Sequence, residues 1–283
     1  MHKNLIWLAS YPKSGNTWVR IFLQHILGTG DPWSGIPDLC EIPIASNRRL
    51  IDQHLGMNSS DLTADEITDC RPAVYRALAS GISGPQVLKV HDAFAMTSGG
   101  DPVFPPEVTR AAIYVVRNPL DVVISYAFHS GKSFQSIIDQ LNDPMFTLSG
   151  MGDELKAQVP QYLGTWSEHV VSWTRQTYFP VIQVKYEDLL AGARQVFRTT
   201  LAQLAITFTD MQLEEALRAS DFDHLKRMEE LHGFREKPMQ AASFFREGRQ
   251  GSFKKYLSDR QIEKVVSVHG KIMATLGYQT SLQ

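Results

Sequence analysis

The chain alternates short apolar runs with apolar stripes at helical spacing. Leu5-Ile6-Trp7-Leu8 has the continuity of a buried strand, and Val19, Phe22, Leu23 and Ile26 then mark one face of a helix. Residues 87–91, 112–116 and 181–186 read as further strands, the second being the clearest buried one. Helices are predicted from Pro119 to about His129, at 134–138, at 193–205, at 211–219 with Asp210 as its cap, and at 259–277. Tyr162, Trp166, Val170 and Trp173 form an aromatic stripe at helical spacing, a pattern that reads as core packing. Alternating strands and helices require an α/β fold and leave the sheet order open.

Between these elements the pattern weakens. Residues 29–43 and 92–108 are rich in Gly, Pro and Asp and read as loops, while 45–80 predicts short helices of poor periodicity. A Gly- and Met-containing loop at 147–153 has the character of a lid. Arg227-Met228-Glu229-Glu230 reads as an exposed charged face.

The first strand and helix enclose Tyr11-Pro12-Lys13-Ser14-Gly15-Asn16-Thr17, a rigid turn followed by a cation, a permissive glycine and hydroxyls. A helix start leaves backbone N–H groups without internal partners and carries partial positive charge, so an anion placed there meets both needs. The alternative is a merely capped helix after an edge strand, which requires neither Lys13 nor Gly15. In the nucleotide-triphosphate loop, G-x-x-x-x-G-K-[ST], the lysine follows the second glycine; here Lys13 comes two residues before the loop's one glycine.

With 43% hydrophobic and 20% charged residues, the composition is that of a globular domain with ample core, and nothing along 1–283 looks like a linker, so one domain is expected. A formal charge of −2 argues against a broad basic surface for nucleic acid or anionic membrane, leaving any cationic site local. Cys40 and Cys70 lack metal-ligand or disulfide-framework spacing and are expected as free thiols with no metal site. The strand at Leu5 leaves no room for a leader, and no apolar stretch approaches a membrane span, which makes a cytoplasmic enzyme the default.

Tyr-Pro-Lys-Ser-Gly-Asn-Thr-Trp at 11–18 resembles the 5′-phosphosulfate loop of sulfotransferases that use 3′-phosphoadenylyl sulfate (PAPS). The resemblance continues in order through Lys89-Val90-His91, the 114–126 segment around Arg117 and Ser125, Val184–Leu189 with Tyr186, Ser220-Asp221-Phe222, and 245–254 with Arg246, Gly248, Gly251 and Lys254. It implies one α/β domain with a central parallel sheet of about four or five strands, helices on both faces and a P-loop-like phosphosulfate-binding loop. By the same resemblance Lys13 meets the donor's bridging oxygen, Ser14, Gly15, Asn16 and Thr17 hold its 5′-phosphate, and Trp18, Tyr186, Ser220 and Phe222 face the adenine. Arg117, Ser125, Arg246 and Gly248 bind the 3′-phosphate, Lys89 stabilises the transferring group, and His91 is the general base.

The chain departs from the family pattern in places. Val90 replaces a threonine, Phe253 a tryptophan, and Glu247 a cation, so Arg249 is the expected substitute for the missing charge. A metal-dependent P-loop kinase and a non-catalytic adenosine bisphosphate binder are the rival readings. The acceptor is expected to be a small molecule or natural product bearing a hydroxyl, less readily an amine. Its pocket would come from residues 29–79, 92–108, 147–153 and 230–243. Neither its identity nor the oligomeric state is readable.

Overall fold

The computed structural model describes residues 3–28, 42–150 and 155–280. Among them the order begins β1 (Leu5–Ser10), α1 (Asn16–Leu27), α2 (Arg48–Leu55), α3 (Ala64–Ser80), β2 (Gln86–Val90), β3 (Thr109–Val116), α4 (Pro119–Ser130) and α5 (Phe134–Leu141). It continues with β4 (Thr147–Leu148), β5 (Gln161–Tyr162), α6 (Trp166–Arg175), β6 (Val181–Lys185), α7 (Tyr186–Gln203), α8 (Asp210–Ala219), α9 (Phe222–His232), α10 (Phe253–Tyr256) and α11 (Asp259–Thr275).

The central parallel sheet has four strands in the order β2-β1-β3-β6, and β4 pairs antiparallel with β5 apart from it. All six residues of β1 are buried, which matches its continuous apolar run. Trp7 illustrates how that run is accommodated: its indole N–H donates to Thr109 Oγ1 at 2.9 Å while its ring packs edge-on against Tyr75. β1 pairs in register with β2, Leu8 opposite Lys89 and Ala9 opposite Val90. The chain winds from β1 to β2 on one side and returns to β3 on the other. Open parallel sheets bind ligands beyond the strand carboxyl ends at such a reversal.

Contacts divide the chain into two compact units, each built from three separated segments. The first is Met1–Tyr11, Pro43–Tyr114 and Asp143–Gln183; the second is Pro12–Ile42, Val115–Asn142 and Val184–Gln283.

Several elements differ from expectation for identifiable reasons. The 45–80 region contains α3, a helix of 17 residues started by a Thr63–Glu66 capping box. Its periodicity is masked because Arg71 occupies the inward face, where it is buried and forms a bidentate pair with Asp92 at 2.5 and 3.0 Å. Thr209, not Asp210, caps α8, reciprocally with Gln212. Tyr162 stands outside the aromatic helix, in β5 and exposed, because the Thr165–Glu168 capping box starts α6 at Trp166; Trp166, Val170 and Trp173 are buried as predicted. Glu229 is buried rather than on an exposed face. The 29–43 loop lies outside the described residues except at its end, as do Cys40 and 151–153 of the expected lid; Cys70 carries a free thiol.

Candidate active site

The second unit contains every residue assigned to the donor. Pro12 breaks from the strand, Lys13 adopts a left-handed backbone with φ 67°, and Gly15 follows at φ 106° as the N-cap of α1. No side chain caps α1 and no acidic residue lies in its first turn, so no carboxylate of its own offsets the positive end of the helix dipole, which favours an anion there. The Ser14 hydroxyl is buried and has no partner among the described residues. A buried hydroxyl left this way costs about 1–3 kcal/mol, and a phosphate oxygen is the kind of acceptor that would relieve it. Gly15 is also required sterically, since a Cβ there would lie 2.6 Å from Cδ2 of Tyr186.

Tyr186 and Arg117 form the next layer. The Arg117 guanidinium carbon sits 4.2 Å from the centre of the Tyr186 ring, and Trp18 meets the same ring edge-on at 5.9 Å. Arg117 donates from Nη1 to the Lys13 carbonyl at 3.3 Å and from Nη2 to the Arg249 carbonyl at 2.9 Å. Its Nε is buried without a partner among the described residues. Arg117 thus ties the α1 loop to the 246–253 loop while keeping a donor in reserve. Burial raises the Tyr186 pKa, with the neighbouring Arg117 charge working against the rise.

Two carboxylates from other elements hold the stretch 243–253. Asp121, buried in the first turn of α4, accepts the N–H of Gly251 at 2.7 Å and of Phe253 at 3.1 Å. Glu229 accepts the N–H groups of Phe244 and Phe245 and the Ser243 hydroxyl, fixing the approach to Arg246. Gly248 has φ 58°, and a Cβ there would come within 2.5 Å of Phe222. Arg246 lies 4.2 Å from the Phe128 ring centre and pairs with Glu247. Glu247 also accepts from Ser252 Oγ at 2.7 Å and Tyr256 Oη at 3.0 Å. Burial works to raise its pKa, but these hydrogen bonds and the Arg246 charge prevail and hold it below the ordinary carboxylate value.

The remaining donor-site residues are placed differently from one another. Ser125 is half-buried on α4, and Asn16 and Thr17 open α1. Ser220 ends α8, is fully buried, and donates its hydroxyl to the Ala216 carbonyl at 2.7 Å, so toward a ligand it retains acceptor capacity only. Arg249 is exposed, and its carbonyl rather than its side chain meets Arg117.

In the first unit, Lys89 lies half-buried near the end of β2, with His91 immediately after the strand. His91 Nδ1 is 2.9 Å from the Ser10 carbonyl. A carbonyl only accepts, so Nδ1 carries the proton and the neutral ring keeps its lone pair on Nε2, the form a base requires.

Sequence reading alone does not identify Asp121, Glu229, His129 or Phe244 as contributors. Asp121 reads as a helix-dipole residue, and Glu229 sits among charges; their common signal is a carboxylate on an otherwise apolar helix face. Lys13 Nζ is 3.2 Å from His129 Nδ1 and 4.2 Å from the Phe244 ring centre, contacts without a motif to announce them.

Comparisons with known proteins bear on the family and the fold. Sulfotransferase 1B1 of Canis lupus familiaris is 23% identical over 291 residues, covering 98% of this chain and 86% of that protein. Flavonol 3-sulfotransferase of Flaveria bidentis is 25% identical over 281 residues, covering 93% and 80%. The solved structure of mouse sulfotransferase SULT7A1 complexed with PAP matches in fold with a TM-score of 0.60 at 16% identity, covering 96% of this chain and 86% of its own. The family model described as a sulfotransferase domain matches residues 3–277, and the chain therefore belongs to the sulfotransferase family.

Proposed function

We propose that this sulfotransferase takes its sulfuryl group from PAPS and passes it to a hydroxyl of a small-molecule or natural-product acceptor. The observation that carries the reading is the cradle of the second unit: an uncapped helix start beside Lys13, a buried Ser14 hydroxyl, and Arg117 with Nε in reserve. These groups match a phosphosulfate, and Arg117 with Arg246 matches a second phosphate. The relatives' names support a sulfotransferase, and the PAP in the neighbouring structure supports this donor.

Each residue has a distinct task in such a transfer. His91 takes the acceptor's hydroxyl proton on Nε2 as the oxygen bonds to sulfur, a contribution of roughly a hundred- to ten-thousand-fold for a placed base. Lys13 and Lys89 stabilise the charge that grows as the bond between sulfur and the bridging oxygen breaks and adenosine bisphosphate departs. Protein cations supply the electrostatics throughout. Residues 1–283 act as one catalytic domain: neither compact unit is contiguous in the chain, and the family match runs through both. A cytoplasmic setting suits the free Cys70 thiol.

Calorimetric titration with 3′,5′-adenosine bisphosphate tests the donor site. Micromolar or tighter binding by the wild type and at least tenfold weaker binding by Arg117→Ala are expected; no heat with wild type refutes the reading. Sulfur-labelled PAPS offered with a pooled acceptor library then identifies the acceptor by mass.

A further inference from the structure

α6 directs two side-chain N–H groups at two consecutive backbone carbonyls beside the base. His169 Nε2 is 2.9 Å from the carbonyl oxygen of His91, and Trp173 donates from Nε1 to the carbonyl of Asp92, also at 2.9 Å. The two residues are four apart and so share one helix face. All these groups lie within the first unit.

The chemistry of the partners fixes the His169 tautomer. Its Nε2 faces a carbonyl, which cannot donate, so Nε2 carries the hydrogen; Nδ1 then accepts from the Tyr114 hydroxyl at 2.9 Å. Both ring nitrogens are therefore committed. His169 is fully buried, as are Trp166 and Trp173 on the same helix. Burial holds its pKa at about 4, so the ring stays neutral where enzymes of this kind work. An apolar side chain would fill this site without the desolvation cost of a buried imidazole. What the imidazole adds is a directed donor.

The peptide it grips is restrained from every side. Asp92 pairs with Arg71 through both carboxylate oxygens, Ala93 N–H donates to the Tyr162 carbonyl at 2.8 Å, and His91 Nδ1 donates to the Ser10 carbonyl. Of these contacts only the His169 bond acts on the carbonyl of His91 itself, one peptide from the imidazole that must aim at the acceptor. Misplacing a reacting group by about 1 Å costs on the order of a hundredfold in rate.

We infer that His169 is a positioning residue for sulfuryl transfer, holding the His91 backbone so that the Nδ1–H···Ser10 bond persists and Nε2 points at the acceptor hydroxyl. The inference rests on His91 being the general base.

Four variants assayed with PAPS and the identified acceptor decide the matter: His91→Ala, His169→Leu, His169→Gln and Tyr114→Phe. Gln can present a side-chain amide N–H toward the His91 carbonyl; Leu cannot. His169→Leu is expected to lower kcat at least tenfold, with acceptor KM and adenosine bisphosphate affinity within twofold of wild type, and His169→Gln to recover most of the loss. Should His169→Leu fail to fold, Tyr114→Phe, which removes the hydroxyl that donates to His169 Nδ1 and holds the ring in place, is expected to lower kcat about threefold to tenfold at unchanged donor affinity. Wild-type kcat in a folded His169→Leu, equal losses in folded Leu and Gln variants, or wild-type kcat in Tyr114→Phe where that variant stands in, overturns the inference. Normal turnover by His91→Ala removes the base reading itself, an outcome separate from any result at His169.

Discussion

The Lys13 ammonium donates to Nδ1 of His129 at 3.2 Å, which gives the proposed catalytic lysine a partner on α4 inside its own unit. An ammonium has no lone pair, so His129 accepts, and Phe244 lies against the same cation at 4.2 Å. An ammonium carries three N–H donors, so the His129 bond orients Lys13 without excluding a donor oxygen. His129→Phe removes that orienting acceptor while preserving an aromatic ring beside Phe244. The expected result is a roughly fivefold weaker calorimetric Kd for adenosine bisphosphate, about 1 kcal/mol, the net worth of one hydrogen bond.

Two glycines are irreplaceable for the same combination of reasons. Gly15 and Gly248 both have positive φ, and an added Cβ would meet Tyr186 at 2.6 Å and Phe222 at 2.5 Å respectively. Gly15→Ala and Gly248→Ala should each weaken adenosine bisphosphate binding more than tenfold with a smaller change in thermal midpoint. Gly56→Ala is the control: its φ is also positive, but no atom lies within 4 Å of its Cβ position, so it should lose stability without losing the nucleotide.

Glu247 occupies a place where the family pattern has a cation, and it draws on Arg246. Glu247→Gln leaves hydrogen-bonding capacity for Ser252 and Tyr256 but releases Arg246 from its carboxylate. Adenosine bisphosphate should bind about fivefold tighter, a change of about 1 kcal/mol for a partly exposed pair, and its affinity should fall more steeply with salt. Arg249→Ala separately tests whether that exposed side chain supplies charge; a Kd unchanged within twofold would place the compensation elsewhere.

The buried His169 makes stability depend on pH in a defined direction. Its pKa falls from 6.5 to about 4 on folding, so between these values the unfolded chain binds the extra proton. Its contribution is therefore intact above pH 6.5 and is lost progressively as pH falls toward 4, a total of about 3 kcal/mol. Urea midpoints for the wild type should decline across that window more steeply than for His169→Gln, which has no titrating ring.

The strands and the donor loop are legible in the sequence because their signals are local. An apolar run, a proline turn and a helical stripe within residues 5–28 suffice to predict β1, the loop and α1. Gly15 is visible as a glycine, but its steric reason, Tyr186, lies 171 positions away and emerges only when the chain is folded. α3 is obscured because a buried Arg71 breaks the apolar stripe, and nothing nearby announces that Asp92 neutralises it. His129 and Phe244 are silent for a similar reason: each is an ordinary residue until Lys13 is set between them. Charged residues with distant partners look like solvent-facing ones, which is why Glu229 reads as surface and is instead an anchor for backbone.

The grip of Asp121 on Gly251 and Phe253 also sets a limit on engineering. A designer who transplants residues 245–254 into another scaffold moves the sequence but leaves its clamp behind on α4, and such a graft would collapse into many conformers. A swap that preserves the loop's shape carries Arg117, Asp121 and Glu229 along with it.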